Sequence, residues 1–254
     1  MSAGTLTAGL RLLQFVAEQP GPVGMKDVLG ATDMTRATAF RVVSHLVDEG
    51  WLVAEGSPRR FSLGLKAVAM GLRRLSNDRV RHVIAPNLIG LATEAMRPAF
   101  FAYVENGLTW WLGITEVVGE RIIQSPVGEA SPALATASGR AILSCLDEES
   151  VRRAVAGGCL PLTPRTITAP EELLAQVRIA RERGYAVVRD EVRIGLTSMA
   201  APVRDAYGSP AAAIGLSELD PEDEERLSRQ GESVVRWARR ASIELGYLSP
   251  WSLG

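Results

Sequence analysis

Two cysteines, two histidines and 6% aromatics are among what this 254-residue chain has least of, and each scarcity excludes something. Cys145 and Cys159 are too few and too close in sequence to staple a disulfide-built domain; reduced thiols in a cytoplasmic protein are the simpler expectation. His45 and His82 lie far apart, in different expected domains. There is no His-Glu-x-x-His, no Cys-x-x-Cys, no Gly-x-Ser-x-Gly elbow and no phosphate loop. Asp190 and Glu191 are adjacent, so on a strand they point to opposite faces and cannot act as a carboxylate pair. The sequence therefore predicts neither an enzyme nor a cofactor. Its apolar runs are short and interrupted, which excludes a membrane-spanning helix, and the N-terminus lacks a basic stretch followed by an apolar one. No repeat or low-complexity segment is present.

The net charge of −1 argues against a general nucleic-acid binder, but it hides an asymmetry. Residues 1–76 hold nine Lys/Arg against six Asp/Glu, a balance of +3; the remainder holds 19 against 23, a balance of −4. With 46% hydrophobic and 22% charged residues, the chain is long enough for two modest domains, each with a core.

The most informative stretch runs from Thr35 to Gly50. Ala39, Val42, Val43, Leu46 and Val47 recur at helical spacing and form a stripe that can pack inward. Thr38, Arg41, Ser44, His45 and Asp48 occupy the opposite arc. Thr35 is placed to cap the helix start, and Gly50 stands where a helix end favours positive φ. Alone this is an amphipathic helix with a solvated face. The flanks add a short helix over Met25–Leu29, a turn through Gly30–Asp33, a strand over Trp51–Ala54, a turn at Glu55–Pro58 and a returning strand over Arg59–Leu63. Helix, turn, helix and basic-tipped hairpin predict a winged helix-turn-helix over residues 1–64, whose second helix enters the major groove. Arg41 can reach guanine O6 and N7, Thr38 a thymine methyl or a phosphate, and Ser44 a phosphate. Thr35, Arg36 and His45 complete the expected DNA-facing set on the helix, and Arg59 and Arg60, both expected to face solvent, do so on the wing. A single winged helix reads only a short half-site, so two are expected in symmetric register on double-stranded DNA.

Thr5–Glu18 reads as a supporting helix with Leu6, Leu10, Leu13, Val16 and Ala17 turned inward. Leu65–Leu75 resumes helical spacing within a linker segment, residues 65–77, and its stripe of Leu65, Val68, Ala69 and Leu72 makes it the expected dimer helix. In residues 78–254, a helix over Arg79–Met96 is expected to bend or divide at Pro86. Strands over Ala99–Glu105 and Leu108–Thr115 flank Asn106-Gly107, a hairpin signal. A third strand is expected over Glu120–Ser125, helices over Leu134–Leu143 and Pro170–Arg183, strands over Tyr185–Arg189, Ser198–Val203 and Ala211–Ser217, and a last helix over Pro221–Leu245. This order predicts an α+β domain, a mainly antiparallel sheet with helices to one side.

The run from Thr35 to Leu46, with Gly50 and Phe61-Ser62-Leu63-Gly64, resembles the DNA-binding domain of IclR-type transcriptional regulators, and the resemblance extends from about Leu6 to Leu245. It implies a GAF-like effector-binding second domain, a pseudo-palindromic operator bound by a homodimer or a dimer of dimers, and a small-molecule effector that shifts the placement of the DNA-binding domains. It carries pocket roles onto Ala137 and Ser138, whose free backbone N–H groups would suit an anion, onto Ser198 and Ser217, and onto Ile123 and Leu196. Two departures stand out. Val188 occupies a position where some members have an acid, and Gly215 one where they have a second serine, which implies a larger or more apolar, even aromatic, effector. Of Trp110 and Trp111 one should face inward, toward core or pocket. The competing readings are a metabolite-binding enzyme with a winged-helix appendage and a winged-helix module that contacts protein.

Overall fold

The computed structural model describes residues 3–76, 78–115, 127–219 and 223–248. The chain divides into two compact units, Met1–Asp78 and Arg79–Gly254.

The first unit runs α1 (Ala3–Ala17), β1 (Val23–Gly24), α2 (Met25–Ala31), α3 (Arg36–Asp48), β2 (Leu52–Glu55), β3 (Arg60–Leu63) and α4 (Leu65–Ser76). It is a winged helix-turn-helix. The strands form an antiparallel sheet in the order β1-β3-β2, with the short β1, which local sequence did not signal, paired to the wing through Val23 and Phe61. Leu12, Val16, Val28, Ala39, Val42, Val43, Leu52 and Phe61 form its core. The wing closes where Gly64 donates its N–H to Trp51 O at 2.7 Å. A Cβ at Gly64 would lie 2.1 Å from the Gly50 carbonyl oxygen, so only glycine permits that closure.

One expectation is corrected in α1. Leu12 and Val16 face the core, whereas Leu6 and Leu10 are 57% and 59% exposed and Ala17 is exposed as well. The helix carries two apolar stripes about 100° apart, and the better-populated one does not face inward. Leu13 is half-buried and packs against the core as expected, and with Leu6 and Leu10 it borders an open groove of about 690 Å³ together with Arg41, His45 and Trp51. The stripe of α4 is likewise uncovered, with Leu65, Val68 and Leu72 exposed and no residue of the helix buried.

The second unit runs α5 (Arg79–Ala95), β4 (Ala99–Glu105), β5 (Leu108–Ile114), β6 (Ala130–Pro132), α6 (Ala137–Leu143), α7 (Glu148–Val155), α8 (Pro170–Arg183), β7 (Ala186–Arg189), β8 (Leu196–Arg204), β9 (Pro210–Leu219) and α9 (Glu224–Glu244). Its six described strands are antiparallel, in the order β6-β5-β4-β9-β8-β7. The β4–β5 hairpin turns at Asn106-Gly107, both at positive φ. The expected strand over Glu120–Ser125 lies outside the described residues.

The helices do not lie to one side. α5 and α9 pack one sheet face through Leu88, Leu91, Val234 and Ala238 against Phe101, Met199, Ile214 and Leu216. α6 packs the other against Phe100, Val188, Ala200 and Ala213, with α7 and α8 clustered behind it. Both faces of β8 are apolar, so each needs a cover. Pro86 sits inside an uninterrupted α5. Two elements were not expected: β6, which has little local signal, and α7, whose Asp147 cap and acidic first turn followed by Arg152 and Arg153 are a helix signal the sequence reading missed.

Candidate functional site

In the first unit α3 carries the residues expected to face DNA, beginning at its N-terminus. Thr35 caps the helix, accepting from the Thr38 N–H at 3.3 Å, and the two hydroxyls lie 3.0 Å apart. Both hydroxyls are thus engaged with each other, which limits what either can offer a base. Arg41, Ser44 and His45 are exposed on one arc of the helix. Arg36 lies beside that arc with its guanidinium 5.8 Å from the Phe40 ring centre. Among the described residues Arg41 has no hydrogen-bond or ion-pair partner, so its guanidinium is available.

Both wing arginines are exposed, but they differ in what they touch. Arg60 reaches back to Pro22, donating from Nε at 2.8 Å and from Nη2 to the same carbonyl oxygen. It fastens the α1–β1 connection to the wing. Arg59 is exposed and, among the described residues, without a partner. Lys66 braces the wing base, donating to the Glu49 carbonyl at 3.0 Å with its ammonium 5.3 Å from the Trp51 ring centre.

In the second unit a cavity of about 210 Å³ lies between the sheet and the start of α6. Ala137, Ser138, Leu196, Ser198 and Ser217, named from the sequence, all line it; Ile123 lies outside the described residues. The sheet register places Val188, Ser198 and Ser217 side by side across β7, β8 and β9. The two serine hydroxyls are 2.8 Å apart, so one donates to the other and only one hydrogen of the pair can point elsewhere. Ser138 is 1% exposed, and among the described residues its hydroxyl has no hydrogen-bond partner. Buried hydroxyls are ordinarily satisfied, and an orphan facing a cavity is a donor awaiting an acceptor. The N–H groups of Ala137 and Ser138, in the first turn of α6, have no intrahelical acceptor either. Thr136 is spent on capping: it accepts from the Gly139 N–H at 3.0 Å and shares a 2.7 Å bond with Thr109.

The walls are apolar. Phe100 and Trp111 line the cavity from the β4–β5 hairpin, with Ile114, Val188 and Val192. Trp110 is 37% exposed and does not line the cavity. Gly215 explains the aromatic wall: a Cβ there would sit 2.6 Å from the Phe100 ring and 2.1 Å from the Met199 carbonyl oxygen. The position that could hold another hydroxyl holds ring space instead.

A buried ion pair frames the cavity. Arg140 of α6, 1% exposed, donates from Nη1 to Glu191 Oε1 at 2.7 Å, from Nη2 to Oε2 at 2.6 Å and from Nε to the Leu134 carbonyl at 2.8 Å. Glu191 Oε2 also accepts the Ile167 N–H at 2.9 Å. Glu191 lies just beyond the strand, where the sequence places it. β7 ends at Arg189, Asp190 takes φ +60°, and the turn that follows carries Val192 and Arg193 into the cavity wall. Neither these two nor Phe100 and Glu129 carried a sequence signal. Burial pushes the Cys145 thiol up, and likewise that of Cys159, so neither is poised as a thiolate.

Residues 72–243 match the model of the bacterial transcriptional regulator IclR C-terminal domain, and residues 5–56 that of the IclR helix-turn-helix domain. The chain is 29% identical over 259 residues to the HTH-type transcriptional repressor AllR of Salmonella paratyphi A, covering 98% of this chain and 92% of that one. It is 25% identical over 246 residues to the transcriptional repressor IclR of Escherichia coli strain K12, covering 95% and 90%. An IclR homologue from Microbacterium hydrocarbonoxydans, solved in complex with 4-hydroxybenzoate, shares the fold with a TM-score of 0.81 at 21% identity, over 95% of this chain and 98% of that one.

Proposed function

This chain belongs to the IclR family of bacterial transcriptional regulators, and on that premise we propose that a small aromatic carboxylate, bound in the cavity of the second unit, sets its affinity for DNA. The orphaned Ser138 hydroxyl carries the reading. Together with the hydrogen left over from the Ser198–Ser217 pair and the N–H groups of Ala137 and Ser138, it supplies hydrogen-bond donors to one cavity. Carboxylates accept this number of hydrogen bonds readily, and the Phe100 and Trp111 rings supply the flat apolar walls that small-molecule sites favour. The 4-hydroxybenzoate complex of the Microbacterium homologue is in keeping with such a ligand.

On this reading α3 reads the major groove through Arg41, with Ser44, His45, Thr35, Thr38 and Arg36 in support, and Arg59 contacts phosphate or the minor groove. Two copies of the chain engage a pseudo-palindromic operator, as a dimer or a dimer of dimers, with the exposed stripes of α1 and α4 as the surfaces that pair. The protein works in the cytoplasm and turns over no substrate; among the described residues no helix is long and apolar enough to cross a membrane.

Titration of the protein with benzoate, followed by calorimetry and by Trp111 fluorescence, tests the pocket. Saturable one-site binding that weakens tenfold or more in the Ser138→Ala/Ser217→Ala double variant is expected. Benzoate binding unaffected by both changes would place the ligand elsewhere.

A further inference from the structure

Among the described residues α3 exposes one large apolar side chain, Phe40, 45% accessible where Ala39 and Val43 beside it are buried. It belongs neither to the stripe that packs inward nor to the polar arc of Arg41, Ser44 and His45. Phe40 lies on the row Arg36–Phe40–Ser44, whose members follow one another at a spacing of about four residues along one side of the helix. A cleft of about 500 Å³ opens on that side, between α3, the start of α2 and the wing, and Phe40, Ser44, Lys26, Pro58 and Arg59 help to line it.

The charges around the ring are mostly of one sign. Arg36 holds its guanidinium 5.8 Å from the ring centre. Lys26 and Arg59 stand exposed in the cleft, and among the described residues neither has a hydrogen-bond or ion-pair partner. Arg60 lines it too, with its guanidinium held by Pro22, and among the described residues of the lining Asp48 is the one acid. An apolar ring set among cations suits a ligand whose apolar group is flanked by anionic ones. The major groove of DNA is such a ligand: the C5-methyl of thymine is the apolar group on its base edges, and phosphates run along both sides.

We propose that Phe40 is a specificity-determining residue of DNA reading, its ring packing on a thymine methyl in the major groove while Arg36 and Arg59 meet the flanking phosphates. The inference rests on the reading of α3 as the helix that enters the major groove, given above. The sequence offers Thr38 for a thymine methyl, but Thr38 is half-buried and its hydroxyl is engaged with Thr35, whereas the Phe40 ring is open. A phenyl ring has no hydrogen-bonding group of its own, so it recognises thymine by the methyl alone.

Deoxyuridine keeps every hydrogen-bonding group of thymidine and lacks only that methyl, which makes it the probe. A DNA fragment selected from genomic DNA by the full-length chain is resynthesised with its thymines replaced by deoxyuridine one at a time, and binding is followed by anisotropy at fixed salt. At one or more positions the native protein should bind about fourfold less tightly, the order expected when a single methyl group leaves an apolar contact. For Phe40→Ala the same replacement should change affinity little, and Phe40→Leu, which keeps an apolar side chain, should retain part of the discrimination. Arg41→Ala should bind the fragment more weakly yet keep the sensitivity to deoxyuridine. Thermal melts check that the variants are folded. A native protein indifferent to every replacement, or a loss that is equal in native and Phe40→Ala, overturns the inference, while dependence on Arg41 leaves the reading of α3 standing. A loss on Phe40→Ala that is the same with thymine and deoxyuridine at every position places the ring against the DNA backbone or a protein surface and overturns it as well. If the native chain selects no fragment above random DNA, the reading of α3 falls and this inference with it.

Discussion

Arg140 and Glu191, 51 positions apart, meet in a two-pronged ion pair with both oxygens and both terminal nitrogens engaged at 2.7 and 2.6 Å. One partner lies on the helix whose first turn carries Ala137 and Ser138; the other opens the turn that carries Val192 and Arg193. The pair therefore ties two walls of the cavity together, and it does so with both side chains out of water.

Removing one partner leaves a buried charge uncompensated. Glu191→Gln should destabilise the second unit by about 3–5 kcal/mol, and urea denaturation followed by far-UV dichroism measures it. A loss below about 1 kcal/mol, the range of exposed pairs, would mean that the pair is not buried in solution.

Arg41 is exposed and unpartnered on the outer arc of α3. Arg41→Ala should weaken specific DNA binding by about 1–3 kcal/mol while the melting temperature stays put. Equal affinity in the variant, measured by fluorescence anisotropy, would remove Arg41 from the readout.

The wing arginines should separate. Arg59→Ala should reduce the slope of log affinity against log salt by about one, as loss of a single phosphate contact does. Arg60→Ala, which releases the Pro22 carbonyl, should cost about 1 kcal/mol of stability instead and change the slope less. The reverse pattern would contradict the division of labour drawn from Arg60.

The uncovered stripes of α1 and α4 predict self-association. Light scattering at micromolar concentration should return a dimer or larger, and Leu65→Glu with Leu72→Glu should shift it toward monomer. A monomer in the native protein, with and without DNA, contradicts the two-fold reading of the operator.

What was legible in the sequence was what local physics fixes. Thr35 caps α3 and Asn106-Gly107 turns the hairpin because cap and turn chemistry depend on a few neighbouring residues. The inward side of α1 was not legible, since two apolar stripes compete on it and only packing selects one. Helices on both sides of the sheet follow from β8 being apolar on both faces, which periodicity reads as strand without saying what covers it. Arg140 with Glu191, and Arg60 with Pro22, are tertiary partners 51 and 38 positions apart, and no spacing rule connects them. Phe100 entered the pocket because Gly215, on the neighbouring strand, makes room for its ring.

The central claim is that DNA affinity is set by an acid in the second unit's cavity, and one titration tests it most directly. DNA fragments selected by the full-length chain from genomic DNA are labelled, and binding is followed by anisotropy at fixed salt, with and without saturating 4-hydroxybenzoate, for the native chain and for Ser138→Ala/Ser217→Ala. The account predicts that the acid moves the native affinity by fivefold or more, a coupling of about 1 kcal/mol or greater, and that the same concentration moves the variant's affinity much less. A native affinity unchanged by the acid, or an equal shift in both proteins, would contradict it.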